Sequence, residues 1–303
     1  MSDHQPGEDR HSGKIRIWVE AARPKTLSAA VAPVLMGVAL SFNHGIARPF
    51  IALLTLLCAV LIQVGTNFAN DYYDFVHGAD SEHRQGPRRA TQAGLVPPAA
   101  MRKVFVGTFL LTFLLGLFLV LDGGWPILLI GLFSILFGIL YTGGPYPLGY
   151  NGWGDLFVLI FFGPVAVGGT YYLQTLQIKG TVLIAGLAPG LISVALLTVN
   201  NYRDIYTDRK AGKKTLVVRF GEQFAKNEYL LCLIGAIAVP VGLAAWTGRH
   251  FWVLITLLTL VTALPAIKTV FREPPGPIFN QVLAQTGKML FLFSLLFSIG
   301  WVM

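Results

Sequence analysis

Asn67-Phe68-Ala69-Asn70-Asp71-Tyr72-Tyr73-Asp74 ends one long apolar run, with Asp80 shortly beyond it, and Asn200-Asn201-Tyr202-Arg203-Asp204-Ile205-Tyr206-Thr207-Asp208 ends another. Charged groups beside hydrocarbon are costly and require partners or a task. Here the groups are nearly all Asn and Asp, they recur at helical spacing, and the pattern occurs twice. Residues i and i+4 share one face of a helix. Asn200, Asp204 and Asp208 therefore form one stripe, and Asn67, Asp71 and Asp74 form another at i, i+4 and i+7. Successive members lie roughly 6 Å apart along the axis, at about 1.5 Å per residue. Such oxygen ligands suit hard cations; Mg²⁺ takes one or two carboxylates and fills its other positions with water and substrate phosphate. Two facing stripes predict a two-ion clamp on a diphosphate.

Outside these stretches the chain avoids charge. Its 303 residues are 54% hydrophobic and 13% charged, with a mean hydropathy of +0.63. A soluble domain carries about 25% charged residues. Nine apolar segments stand out, at 25–43, 50–70, 103–121, 125–141, 154–173, 181–202, 229–247, 251–270 and 286–303. Each approaches the roughly 20 residues that cross a bilayer. Continuous apolar runs without alternation argue for helices over a barrel. The expectation is an all-α, polytopic membrane helix bundle of about nine transmembrane helices in two degenerate halves. Residues 1–16 read as a disordered cytoplasmic tail and 17–303 as a single transmembrane domain.

With nine spans, every Lys and Arg falls on one face except Arg48, Lys179 and Arg249. The rich face is cytoplasmic by the positive-inside rule. That places the N-terminus and both acidic stretches on the cytoplasmic side of the cell (inner) membrane. The net charge of +8 is then a product of topology, and no nucleic-acid partner is implied. Cys58 and Cys232 read as small buried hydrophobes, and the histidines show no zinc-ligand spacing.

Beyond each acidic stretch lies a basic, Gly-containing loop. Arg84, Arg88, Lys213 and Lys214 are the candidates to neutralise a diphosphate, although topology alone explains most such charges. Tyr72, Tyr141 and Tyr202 are candidate site residues near these stretches; an interfacial aromatic belt is the competing reading. Arg23 and Lys25, at the first span, are further candidate cations.

These motifs resemble the UbiA superfamily of intramembrane prenyltransferases. Ala22-Arg23-Pro24-Lys25-Thr26, Asn67 to Asp74, Gly86-Pro87-Arg88-Arg89-Ala90, Tyr141 to Leu148, and Asn200 to Asp208 with Ala211-Gly212-Lys213 resemble its naphthoate-prenylating branch in menaquinone biosynthesis. The likeness runs from about residue 17 to the C-terminus. It implies a Mg²⁺-dependent polyprenyltransferase that joins polyprenyl diphosphate to 1,4-dihydroxy-2-naphthoate within the lipid bilayer. It also implies metal ligation by Asn67, Asp71 and Asp74 at one site and by Asn200, Asp204 and Asp208 at the other. The loop from Tyr141 to Trp153 carries no charge, unlike the 4-hydroxybenzoate branch. Competing readings are a 4-hydroxybenzoate or homogentisate prenyltransferase, which keeps the clamp, and a secondary transporter, which also has repeats and polar residues in its membrane helices.

Overall fold

The computed structural model describes residues 6–42, 48–79, 85–86 and 89–303, and regular structure among them is helical. Asp80, Arg84 and Arg88 lie outside the described residues. Helix α1 (Pro6–Ala22) meets α2 (Ser28–Phe42) through a single 3-10 turn at Pro24–Thr26, with a bend of 52°. Arg23 precedes that turn with left-handed backbone angles, φ 54°, a conformation uncommon outside glycine. Then follow α3 (Pro49–Val76), α4 (Pro98–Gly123) and α5 (Trp125–Leu140). α6 (Gly154–Thr175) and α7 (Gly180–Arg203) come next, then two short helices, α8 (Ile205–Lys210) and α9 (Leu216–Phe220). α10 (Glu222–Thr247), α11 (Phe251–Arg272) and α12 (Phe279–Val302) complete the bundle.

Local chemistry sets the ends. Proline begins α3 and α4, where its missing N–H costs no helical hydrogen bond. α4 turns into α5 through Gly124 alone, at φ 69°, which a residue with a Cβ resists.

α7 is the central helix. Of its apolar window 67% is buried, against 22% for α4, which faces outward. Ile192, Ala195 and Val199 of α7 pack with Leu233 and Ala236 of α10 and with Phe293 and Phe297 of α12. The contact with α6 is closer still: a Cβ on Gly190 would lie 2.7 Å from the Leu159 carbonyl oxygen, and one on Gly186 2.9 Å from Pro164 Cα. In lipid, apolar contact gives helices no hydrophobic advantage, so small residues that admit close backbone packing hold them together. α6 is wound as a π-turn over Phe161–Val165, with Gly163 kinked there. Gly163 and Pro164 supply the cause of the kink.

The nine expected apolar segments are largely helical over their described residues. Among the described residues seven helices are long and apolar enough to cross a membrane, or eight if the bent α1–α2 pair counts as one span. α5, at 16 residues, falls short by length, so nine is an approximate count. Helix α1, Pro6–Ala22, crosses residue 17. Cys58 and Cys232 are buried free thiols.

Candidate active site

The C-terminal ends of α3 and α7 meet at the head of a cavity of about 390 Å³. On α3 the residues facing it are Asn67, Asn70 and Asp74. Asp71 has a different position: its two carboxylate oxygens accept the backbone N–H groups of Ala90 and Thr91, at 3.0 and 2.9 Å. These charge-assisted bonds pin the turn that follows the first acidic motif. The turn delivers Arg89, whose Nη2 lies 2.6 Å from Asp74 Oδ2, with both side chains nearly buried. Asp74 Oδ1 also accepts the Tyr150 hydroxyl at 2.5 Å. Asn70 Oδ1 accepts the Thr142 hydroxyl at 2.8 Å, tying the loop after α5 to α3. Asn67 donates its amide to the Ala22 carbonyl at 2.9 Å and so fixes the bend that carries Arg23.

The second motif does not continue as one straight helix. α7 ends at Arg203, Asp204 takes a non-helical conformation, and α8 begins at Ile205. Asn200, Asp204 and Asp208 nevertheless all line the cavity. Buried Arg203 holds Asp204 at both oxygens, Nε–Oδ1 2.9 Å and Nη2–Oδ2 2.5 Å, and also donates to Asn200 Oδ1 at 2.8 Å. One ammonium joins the two motifs: Lys213 Nζ lies 3.3 Å from Asp208 and 3.7 Å from Asp74. It also sits 4.7 Å above the Tyr150 ring. Burial pushes the Asp208 carboxyl above the usual carboxylate range; Lys213 opposes the shift, while Asp204 and Asp74 add to it.

Below this polar head the cavity is apolar. It continues between α2, α3, α4, α5 and α6 to Leu119, Ile127 and Leu173. Along α3 it extends from Asp74 to Thr55, roughly 28 Å at about 1.5 Å per residue. Phe137, Phe157 and Phe161 line its upper part. Phe137 meets Phe157 at 4.6 Å and Phe161 at 5.5 Å between ring centroids.

Of the residues expected from sequence, Arg23, Asn67, Asp74, Tyr141, Asn200, Asp204, Asp208 and Lys213 converge on the cavity. Lys25 and Lys214 are exposed, and the Lys214 backbone N–H binds the Tyr150 carbonyl at 2.6 Å. Tyr72 packs on Tyr73 and Phe105 between α3 and α4. Tyr202 points away, stacked edge-on against Phe279, with its hydroxyl donating to Glu222 at 3.2 Å. Arg84 and Arg88 lie outside the described residues. Sequence reading passes over Asn70, Asn201, Arg89 and Tyr150, all of which line the cavity. Asn70 and Asp74 are themselves i and i+4, so the helical rule that selected Asn67 and Asp71 fits them equally.

The donor set fits Mg²⁺ in kind. Carboxylate and amide oxygens surround the head, and its buried anionic charge is matched by Arg89, Arg203 and Lys213. Among the described residues no three of His, Cys, Asp and Glu come close enough to enclose an ion. An ion here would rely on substrate phosphate for the remaining ligands, as Mg²⁺ commonly does.

Comparison with known proteins agrees with this geometry. The UbiA prenyltransferase family model matches residues 30–300. The chain is 36% identical to 1,4-dihydroxy-2-naphthoate octaprenyltransferase of Escherichia coli (strain K12), covering 96% of this chain and 97% of the relative. It is 37% identical to the enzyme of the same name from Haemophilus influenzae, covering 95% and 96%. A UbiA homolog from Archaeoglobus fulgidus bound to DMAPP and Mg²⁺ shares the fold, with a TM-score of 0.64 at 16% identity, covering 94% of this chain and 98% of that one. Sequence likeness over nearly the whole length and a shared helical architecture lead to one assignment: the chain belongs to the UbiA prenyltransferase family.

Proposed function

We propose that this protein transfers a polyprenyl group from polyprenyl diphosphate to 1,4-dihydroxy-2-naphthoate, releasing diphosphate and CO₂ and giving demethylmenaquinol. The observation that carries the reading is the union of two Asn/Asp motifs, bridged by Lys213, at the polar head of a long apolar cavity. The cavity suits a polyprenyl chain, and the head suits its diphosphate. The names of the relatives supply the acceptor.

Mg²⁺, held among Asn70, Asp74, Asn200, Asp204 and Asp208, would neutralise diphosphate charge. Arg89, Lys213 and Arg23 face the same oxygens and complement the charge that develops as the allylic C–O bond breaks. Diphosphate leaves with the bonding electrons. The aromatic walls, with Tyr141 and Tyr150 nearest the head, offer ring faces to the allylic cation, and the apolar cavity keeps water from capturing it. The ring carbon bearing the carboxylate forms the new C–C bond, and CO₂ departs as its bond to that carbon returns an electron pair to the ring. The uncharged Tyr141–Trp153 loop lies beside the head and gives a flat naphthoate an approach without a fixed countercharge. The positive-inside bias supports a reading with this head and the N-terminus on the cytoplasmic side of the cell (inner) membrane.

The test is mass spectrometry of the lipid formed by purified protein with polyprenyl diphosphate, Mg²⁺ and carboxyl-labelled 1,4-dihydroxy-2-naphthoate. A prenylated product without label is expected. Label kept in the product, or faster turnover of 4-hydroxybenzoate or homogentisate, overturns the acceptor. Absence of diphosphate release would restore the transporter reading.

A further inference from the structure

Arg203 is 2% exposed, and three residues share its guanidinium. Nε and Nη2 hold Asp204, and Nη2 also donates to Asn200. Nη1 has its partner outside both acidic motifs: it donates to Asn280 Oδ1 at 2.8 Å. Asn280 stands in the first turn of α12. The other end of the same amide, Nδ2, donates to the Gln85 carbonyl at 3.1 Å. A guanidinium only donates and a carbonyl only accepts, so these two partners fix which way the amide faces.

The two partners belong to different parts of the site. Arg203 orients Asn200 and Asp204, which line the cavity. Gln85 precedes Arg89 on the chain that returns from the first motif and sets Arg89 against Asp74. Asn280 therefore joins the two motifs behind the cavity, as Lys213 joins them inside it. Asn280 itself does not line the cavity; among the described residues α12 lends that wall Leu283 alone. Local sequence sets its place. Glu273-Pro274-Pro275-Gly276-Pro277 cannot continue α11. A tight turn then starts α12: the N–H groups of Phe279, Asn280 and Gln281 donate to the carbonyls of Gly276, Pro277 and Ile278, at 3.1, 3.0 and 3.0 Å. Phe279 packs edge-on against Tyr202 and holds this turn beside Arg203. Among the described residues neither end of the Asn280 amide binds within α12, so the side chain serves the site and not its own helix.

We propose that Asn280 is a positioning residue for the transfer reaction: by holding Arg203 and the Gln85 carbonyl at once, it fixes the second motif relative to the chain that carries Arg89. Diphosphate oxygens then meet both sets of partners in one geometry. The inference rests on the function proposed above. Two variants of the full-length protein separate the links. Asn280→Ala removes both, whereas Asn280→Asp keeps an acceptor for Arg203 and loses the donor to Gln85. Isothermal titration calorimetry with inorganic diphosphate and Mg²⁺ reads the Arg203 link. Affinity should fall about tenfold in Asn280→Ala, where Nη1 is left buried without an acceptor, and less than about threefold in Asn280→Asp, where the charge-assisted bond persists. Amide hydrogen exchange over residues 85–96 reads the Gln85 link and should quicken in both variants, with exchange along α12 unchanged. In turnover, Asn280→Ala should raise the KM for polyprenyl diphosphate about tenfold and change kcat less than about threefold, the pattern of binding lost equally from ground and transition states. Wild-type affinity in Asn280→Ala, equal loss of affinity in both variants, or unchanged exchange over 85–96 overturns the proposal. So does faster exchange spread along α12, which marks a structural role only. A wild type that prenylates no naphthoate would strike the proposed reaction instead, and calorimetry and exchange would still decide the coupling.

Discussion

Asp71 and Asp74 are three residues apart on one helix and have different neighbours. Asp74 faces the cavity and meets Arg89, Tyr150 and Lys213, whereas Asp71 holds the turn that presents Arg89. Asp74→Asn and Asp208→Asn should each lower kcat/KM for polyprenyl diphosphate at least about 100-fold, the scale of losing one preorganised electrostatic partner. Diphosphate release reads this loss, and unchanged gel-filtration behaviour excludes misfolding. Asp71→Asn keeps one acceptor oxygen and abandons one of the two N–H groups. Its loss should be nearer tenfold, with the half-saturating Mg²⁺ concentration unchanged, while Asp74→Asn raises that concentration. A shift of equal size in both variants would put Asp71 among the ion's ligands. The sequence shows that acidic residues at these helix ends share a task, because their cost in an apolar setting is plain from composition. It does not show which of two overlapping i, i+4 pairs faces inward. That depends on where the chain returns at Ala90 and Thr91, and helical spacing carries no information about it. Arg89 is equally hidden, since positive-inside bias makes every loop arginine look alike.

At the scale of elements, the α6–α7 crossing decides how narrow the bundle can be. Gly190→Ala would set a methyl against the Leu159 carbonyl oxygen, and a backbone atom there cannot swing aside. The helices must part, at a cost of about 1–3 kcal/mol. A methyl added to Gly107 on α4 would meet nothing within 4 Å, so Gly107→Ala should gain up to about 1 kcal/mol of helix propensity. Thermal unfolding in detergent should therefore move in opposite directions for the two variants. Hydropathy locates the helices well, because the backbone of each apolar run has to be satisfied internally. It does not place the π-turn at Phe161–Val165, since Gly163-Pro164 announces a break without saying how the backbone resolves it. Tyr202 illustrates the same limit: its neighbours Asn200 and Asp204 line the cavity, yet its own face turns to Phe279 and Glu222.

For the whole molecule, Arg23 and Trp301 lie at opposite ends of the bundle. Arg23 lines the head of the active cavity, and Trp301 stacks on His250 at the other end. Reporter fusions in the 211–214 loop and at the C-terminus should therefore read opposite compartments, with the 211–214 loop cytoplasmic by charge bias. Matching signals would refute the arrangement. α5 has only 16 helical residues; its first turn supplies Ile127 to the cavity's far end, and Gly138 lies near the head. Such a helix covers about 24 Å, against a hydrocarbon core of about 30 Å. Its outward residues Leu129, Phe133 and Leu136 remain exposed, so the surrounding lipid must thin to meet them. Membrane thickness thus acts directly on a wall of the prenyl cavity. In reconstituted vesicles, turnover should peak with short acyl chains and decline as the chains lengthen and pull α5 out of register with its neighbours.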